Sequence, residues 1–177
     1  MKKLFDDISL EASKIVTKSY STSFSLGILF LDKNIRRHIY SIYGFVRLAD
    51  EIVDSFENYN QEYLLGQFEY DLHNAFQNKI SLNPILNSFQ NTYNQFNIGK
   101  ELTDKFMASM AMDLDKKEYN KSSYEEYILG SAEVVGLMCL KVFLNGDNEK
   151  YEELKPYAMR LGAAFQKINF LRDLKAD

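Results

Sequence analysis

Two stretches of the chain set paired aspartates behind a basic residue: Arg47-Leu48-Ala49-Asp50-Glu51-Ile52-Val53-Asp54, and Arg172-Asp173-Leu174-Lys175-Ala176-Asp177. On a helix the i, i+4 spacing advances about 400°, so the two carboxylates of each pair sit about 40° apart on one face. Like charges at that spacing repel, and a bound cation offsets the repulsion. A hard divalent ion suits such oxygen donors, and Mg2+ is commonly held by one or two carboxylates together with water and substrate phosphates. Two such pairs in one small chain point to a metal-bridged diphosphate.

Helices must position these groups. With Asp32 as its cap, a long helix is predicted from about Lys33 to Asp54. Tyr43, Arg47, Asp50 and Asp54 fall within an arc of roughly 60° on it. Ile35, Ile39, Ile42, Phe45, Val46, Leu48, Ile52 and Val53 cover most of the remaining circumference, the pattern of a buried helix. The polar stripe then faces a cavity holding a cation, because unpaired buried carboxylates are strongly disfavoured. The alternative is a solvated edge with Arg47 as a local i, i+3 partner. On the last helix Gln166, Asn169, Asp173 and Asp177 form a second stripe about 80° wide, with Gly162 leaving space in front of it. Leu161, Phe165, Ile168, Phe170 and Leu171 occupy the opposite faces, and Arg172 points away, as a phosphate contact or a structural ion pair. An ordinary polar helix face is the alternative here.

The rest of the chain also reads as helix after helix. A first amphipathic helix over Leu4 to Lys18 carries Leu4, Ile8, Ala12, Ile15 and Val16 on one side. Ser19-Tyr20-Ser21-Thr22-Ser23 is a hydroxyl-rich break. Further helices are predicted over about Gln61 to Asn78, from Pro84 to the Asn97-Ile98-Gly99 break, over Glu101 to Lys116 and over Tyr124 to Leu144. Pro156 marks the first turn of the last helix, or a kink in it. No strand, linker or internal repeat is evident. Two Pro and eight Gly among 177 residues agree with long unbroken helices. The net charge of −4 and the absence of a basic stripe argue against a nucleic-acid partner. The single Cys139 excludes an intrachain disulfide and reads as an inert core thiol. With neither a signal-peptide region nor a membrane span, the expectation is a soluble cytoplasmic protein. His38 and His73 have no neighbouring ligand at metal spacing.

The ordered set of motifs resembles the squalene/phytoene synthase family, the head-to-head trans-prenyltransferases, most of all the bacterial phytoene synthases. Tyr43 to Asp54 is similar to that family's first aspartate-rich motif, and Gly162 to Asp173 to the approach to its second. Ser21-Thr22-Ser23-Phe24 resembles the segment near the diphosphate pocket. Tyr127 to Gly136 resembles the small-residue helix lining the prenyl cavity, with Glu133 where many members have Gly. The resemblance implies an all-α, isoprenoid-synthase-type helical bundle around a central cavity, a single domain over residues 1–177. It implies Mg2+, or Mn2+ in its place, bridging Asp50, Asp54, Asp173, Asp177 and Asn169 to two prenyl diphosphates. The catalytic set would be these four aspartates with Arg47 and Tyr43. Substrate-binding residues would be Ser21, Ser23, Phe24, Tyr43, Arg47, Asp113, Val134, Gly136, Gln166, Asn169 and Arg172. The implied reaction joins two allylic diphosphates 1–1′ through a cyclopropyl diphosphate. Two geranylgeranyl diphosphates giving phytoene, in carotenoid biosynthesis, is the leading reading. Squalene or dehydrosqualene formation from farnesyl diphosphate, or a non-catalytic binding or assembly role, are the alternatives. No Gly-rich dinucleotide fingerprint is present, and NADPH is not expected. A lipid product is compatible with peripheral membrane association, and the oligomeric state is left open. Members of the family run well past the second motif, so the chain is expected to lack C-terminal helices and to be weakly active or inactive alone.

Overall fold

The structure, a computed structural model, describes residues 2–115 and 129–173. Every element among them is helical: α1 (Lys2–Tyr20), α2 (Thr22–Leu29), α3 (Lys33–Ser55), α4 (Gln61–Asn78), α5 (Pro84–Phe96), α6 (Lys100–Asp115), a π-helical turn (Leu129–Glu133), α7 (Val134–Leu144) and α8 (Asn148–Asp173). They divide into two compact units, residues 1–98 and 99–177. No helix of the described residues is long and apolar enough to cross a membrane.

The caps explain most boundaries in the first unit. Asp32 accepts from the Asn34 amide at 2.8 Å to start α3, and Asn60 from the Tyr63 amide at 3.0 Å to start α4. Asn83 caps α5, with Pro84 in the first turn. Asn97 ends α5 in the left-handed region, where Asn is tolerated better than most residues. The core of this unit is aromatic. Phe45 of α3 stacks on Phe89 of α5 at 4.2 Å, and Phe76 of α4 on Tyr93 of α5 at 3.7 Å. Polar seams fix the register of the helices. Ser41 meets Ser88 at 2.5 Å, His38 Nδ1 meets Thr92 Oγ1 at 2.9 Å, and the Asn87 amide donates to Asp6 at 3.0 Å and to Ser9 at 3.1 Å.

Two expectations are corrected here. The hydroxyl run is not a broad break: α1 extends to Tyr20, and α2 begins at Thr22. A single extended residue, Ser21, separates them, and its hydroxyl accepts from the Phe24 amide at 3.2 Å. The first helix also presents the face opposite to the one its apolar periodicity favours. Ser9, Ser13 and Thr17 are buried, while Leu4, Ile8 and Ile15 are each more than half exposed. The hydroxyls can be buried because two of them bond their own helix, Ser9 to Phe5 O and Thr17 to Ser13 O, both at 2.8 Å. Small side chains also let α1 approach α3 closely. At Gly44 of α3, a Cβ would stand 2.9 Å from Ser13 Cβ.

In the second unit Phe106, Met107 and Met110 of α6 and Leu137, Met138 and Val142 of α7 are buried. Close backbone approaches bring the helices together. A Cβ at Gly130 would lie 2.6 Å from Ser109 Cβ, and one at Gly136 would lie 3.1 Å from the Ala158 carbonyl oxygen. Gly162 does not leave an open space. A Cβ there would come within 2.6 Å of the Ala132 carbonyl oxygen, so its role is contact between α8 and the π-helical turn. The last helix starts at Asn148, and Pro156 lies inside it, not in its first turn. The expected helix start near Tyr124 falls outside the described residues.

Candidate functional site

The first stripe forms on the last two turns of α3. Gln61, at the start of α4, donates its amide to the Ile52 carbonyl at 2.9 Å and to the Val53 carbonyl at 2.8 Å, satisfying acceptors that the helix end leaves open. That end carries the negative pole of the helix, which disfavours carboxylates and favours cations. Three acids nevertheless gather there around Arg47. Glu51 Oε2 accepts from Arg47 Nη2 at 2.6 Å, while Asp50 Oδ2 and Asp54 Oδ2 lie 3.8 and 4.0 Å from Arg47 Nη1. Side-chain exposure rises along the set: 16% for Glu51, 24% for Arg47, 33% for Asp50 and 54% for Asp54. The stripe is therefore neither a dry core nor a fully solvated edge, and Asp50 and Asp54 keep one side in water.

Charge and stacking hold the guanidinium. Burial alone would lower the Arg47 pKa, but the hydrogen bond to Glu51 and the charges of Asp50, Glu51 and Asp54 raise it above the ordinary value. Burial likewise pushes Glu51 up, and hydrogen bonds from Ser55, Arg47 and Tyr20 together with the Arg47 charge hold it below the usual carboxylate range. The Tyr20 ring lies 4.5 Å from the guanidinium carbon, a cation–π contact delivered by the last residue of α1. Tyr43, one turn before Arg47, stacks on Phe24 of α2 at 4.6 Å. Ser21 caps α2, and Ser23 is exposed in its first turn. The structure thus sets Phe24 of α2 against Tyr43 of α3, and Tyr20 of α1 against Arg47, which lies beside Asp50 and Asp54; Ser21 and Ser23 stand at the start of α2. Sequence reasoning missed Glu51 as the main partner of Arg47, although the i, i+4 spacing was there to read. It also missed Tyr20, for which no local signal exists.

The donor set fits a hard divalent cation. Two carboxylate oxygens already converge on a single cationic nitrogen, Nη1, and both residues reach solvent. Among the described residues no group of three or more His, Cys, Asp or Glu forms a cage for a metal ion. Two carboxylates completed by water and phosphate oxygens are the usual way Mg2+ is held.

The second stripe lies on α8 in the other unit. Gln166 is half-buried. Asn169, Arg172 and Asp173 are placed on the helix, but their side chains, like the whole of Asp177, fall outside the described residues. Leu161, Phe165 and Ile168 are exposed on this helix. Val134 is buried, Gly136 sits against Ala158, and Asp113 is half-buried on α6. Tyr127 lies outside the described residues. Glu133 closes the π-helical turn, where burial pushes its carboxyl up and the Lys167 charge opposes that shift.

An all-α chain of this kind has the isoprenoid-synthase type of fold. It superposes on a crystal structure of a dehydrosqualene synthase in complex with ligand with a TM-score of 0.81 and 25% identity, covering 94% of this chain and 57% of that one. The squalene/phytoene synthase family profile matches residues 17–177, and the chain belongs to that family. It is 29% identical over 169 residues to chloroplastic phytoene synthase 1 of Zea mays, covering 92% of this chain and 40% of the maize protein. To the phytoene synthase of Arthrospira platensis it is 28% identical over 183 residues, covering 96% and 58% of the two. The chain thus spans about two-fifths to three-fifths of the relatives it matches.

Proposed function

We propose that this chain carries out chemistry of the head-to-head prenyltransferase class: condensation of two allylic prenyl diphosphates, with geranylgeranyl diphosphate as substrate and phytoene as product. The observation that supports it best is the convergence of Asp50 and Asp54 on Arg47 Nη1, in a chain of the squalene/phytoene synthase family. On this reading residues 1–177 are one prenyl-synthase domain. Asp50 and Asp54 would hold Mg2+ with the first diphosphate, and Asn169, Asp173 and Asp177 would do so with the second. Bound Mg2+ supplies neutralisation of the negative charge that builds on a leaving diphosphate.

The chain's own residues do the rest. Arg47 Nη1 donates to a diphosphate oxygen, a charge-assisted contact that strengthens as the leaving group gains charge. Ser21 and Ser23 bind the polar end of the first substrate, and Gln166 and Arg172 that of the second. The stacked Phe24–Tyr43 pair presents aromatic faces to the allylic cation and keeps water from it. Asp113, Val134 and Gly136 border the prenyl chain. A second reading, dehydrosqualene or squalene formation from farnesyl diphosphate, is favoured by the likeness to a dehydrosqualene synthase.

The test incubates the chain with radiolabelled geranylgeranyl or farnesyl diphosphate and Mg2+, with Asp50→Asn as control. Diphosphate release and a C40 or C30 hydrocarbon or cyclopropyl product above the control support the reading, and product length separates the two substrates. Turnover above background that is equal in Asp50→Asn and the unmutated chain refutes the assignment of the first stripe.

A further inference from the structure

The function proposed above gives no task to the outer face of α1. Leu4, Ile8 and Ile15 are 66%, 54% and 61% exposed there, a contiguous apolar stripe of the kind that marks an interaction surface. Their spacing, four residues and then seven, is that of a coiled-coil seam. A shallow groove on the same face is lined by Asp7, Ile8, Glu11, Ala12 and Ile15. Four of these, Ile8, Glu11, Ala12 and Ile15, stand at i, i+3, i+4 and i+7. That diamond is the hole which a side chain of a facing helix enters in knobs-into-holes packing, and Ala12, the smallest corner, keeps it open. The face is therefore shaped for another helix. Charge shows which one. Asp7, Glu11, Lys14 and Lys18 fall within an arc of about 60° beside the stripe, acids first and bases after. Glu11 and Lys14 meet within the helix at 2.9 Å, but the contact is exposed and worth little alone. In an antiparallel pair of α1 helices the acidic half of each flank lies beside the basic half of the other. Asp7 and Glu11 then face the second copy's Lys18 and Lys14, with Ile8 over its Ile15. In a parallel pair Glu11 and Lys18 would each meet their own kind.

We propose that the outer face of α1 docks a second copy of this chain in an antiparallel, two-fold symmetric pair. The face carries both the apolar knobs and the hole that takes them, and both signs of charge, as a self-complementary contact requires. One helix per copy falls short of the roughly 1,000 Å2 of a stable interface, so the pair is weak and exchanging. The inference is independent of the roles proposed for Asp50 and Asp54. Because α1 ends on Tyr20, whose ring lies 4.5 Å from the Arg47 guanidinium carbon, pairing restrains the helix that covers Arg47.

The test is sedimentation equilibrium of the 177-residue chain from about 10 µM to about 1 mM, the range that a contact of this size calls for. The average mass is expected to climb from monomer toward dimer. Ile8→Ser removes a knob and a corner of the hole from each copy and is expected to raise the dissociation constant about tenfold or more. Two charge variants identify the occupant and its direction. Asp7→Lys with Glu11→Lys makes the flank wholly basic, and Lys14→Glu with Lys18→Glu makes it wholly acidic. Each alone is expected to stay monomeric, and an equimolar mixture of the two to form mixed dimers at least as readily as the unmutated chain. Melting temperatures check that every variant is folded. An unmutated chain that stays monomeric throughout leaves the face to another occupant, a different protein segment or a lipid surface, and overturns the proposal. A dimer that Ile8→Ser does not weaken forms elsewhere on the molecule and overturns it too. Charge variants that dimerise alone as well as the unmutated chain overturn the antiparallel pairing, and with it the proposal.

Discussion

Replacing Gly44 by Ala sets two opposing effects against each other, and the structure says which wins. Alanine is the better helix former by about 1 kcal/mol in a helix interior, so propensity alone makes Gly44→Ala stabilising. Here, however, the new methyl would lie 2.9 Å from Ser13 Cβ, 3.0 Å from Ser13 Oγ and 3.2 Å from Ser13 Cα. Carbon contacts are comfortable from about 3.5 Å, so α1 and α3 must part by about half an ångström. Ser13 cannot swing aside, because two of the crowded atoms belong to its Cα and Cβ, and its hydroxyl is buried. Overpacking against such rigid atoms costs about 3 kcal/mol, the upper part of the usual range. The net loss is then about 2 kcal/mol, or about 4–8 °C in Tm for a chain of this size. Differential scanning calorimetry of four proteins reads it: unmutated, Gly44→Ala, Ser13→Gly and the pair. In the Ser13→Gly background the two closest contacts are gone and only the Cα at 3.2 Å remains, so Gly44→Ala should lower Tm far less than it does beside Ser13. A Gly44→Ala chain that melts higher than the unmutated one would show that α1 does not dock on α3 through this contact.

Three further outcomes are expected. Asp50→Asn should lower prenyl diphosphate turnover by about 100-fold or more while leaving the unfolding free energy from urea titration within about 0.5 kcal/mol, since the residue is part-exposed and packs no core; intact turnover counts against the site. Burial, aided by the Arg37 charge, pushes His38 from 6.5 down to about 4, so the unfolded chain takes up a proton there before the folded one does. The stability this confers is complete above about pH 6.5 and is lost as pH falls toward 4, with a loss of about 2 kcal/mol at pH 5; urea titrations should show it, and His38→Gln should flatten the slope. Burial pushes the Cys139 thiol up to about 12, so iodoacetamide at about pH 8 should modify it only after unfolding; rapid native labelling would contradict this.

The elements with unambiguous caps were legible in the sequence. Asp32 before α3 and Pro84 in α5 announce helices whose positions hold in the structure. The missed element, α2, has a break of one residue before it, and a run of hydroxyls around Ser21 gives no hint that a second helix follows at once. The orientation of α1 was misread for a different reason. Apolar periodicity identifies a face but not what it meets, and Gly44 offers α1 a groove that fits Ser13 and would not fit Ile8 or Ile15. At the candidate site, local spacing along α3 revealed Arg47, Asp50 and Asp54, because all three lie on one helix. Tyr20 arrives from another helix, and only the fold reveals that contact. Glu51 was legible in its i, i+4 spacing from Arg47, and its length lets it reach Nη2.

The way α1 is seated carries a thermodynamic consequence. A helix that docks through Ser9, Ser13 and Thr17 while Leu4, Ile8 and Ile15 stay wet uncovers little new hydrocarbon when it detaches. Its release should therefore change the heat capacity little and respond weakly to urea, unlike the collapse of the Phe45–Phe89 core beneath it. In native-state hydrogen exchange the amides of α1 should open by a route almost independent of denaturant, ahead of the global transition. Because Tyr20 leaves with α1, each such opening would also unclamp Arg47, tying the acidic end of α3 to a fluctuation that bulk melting curves do not register.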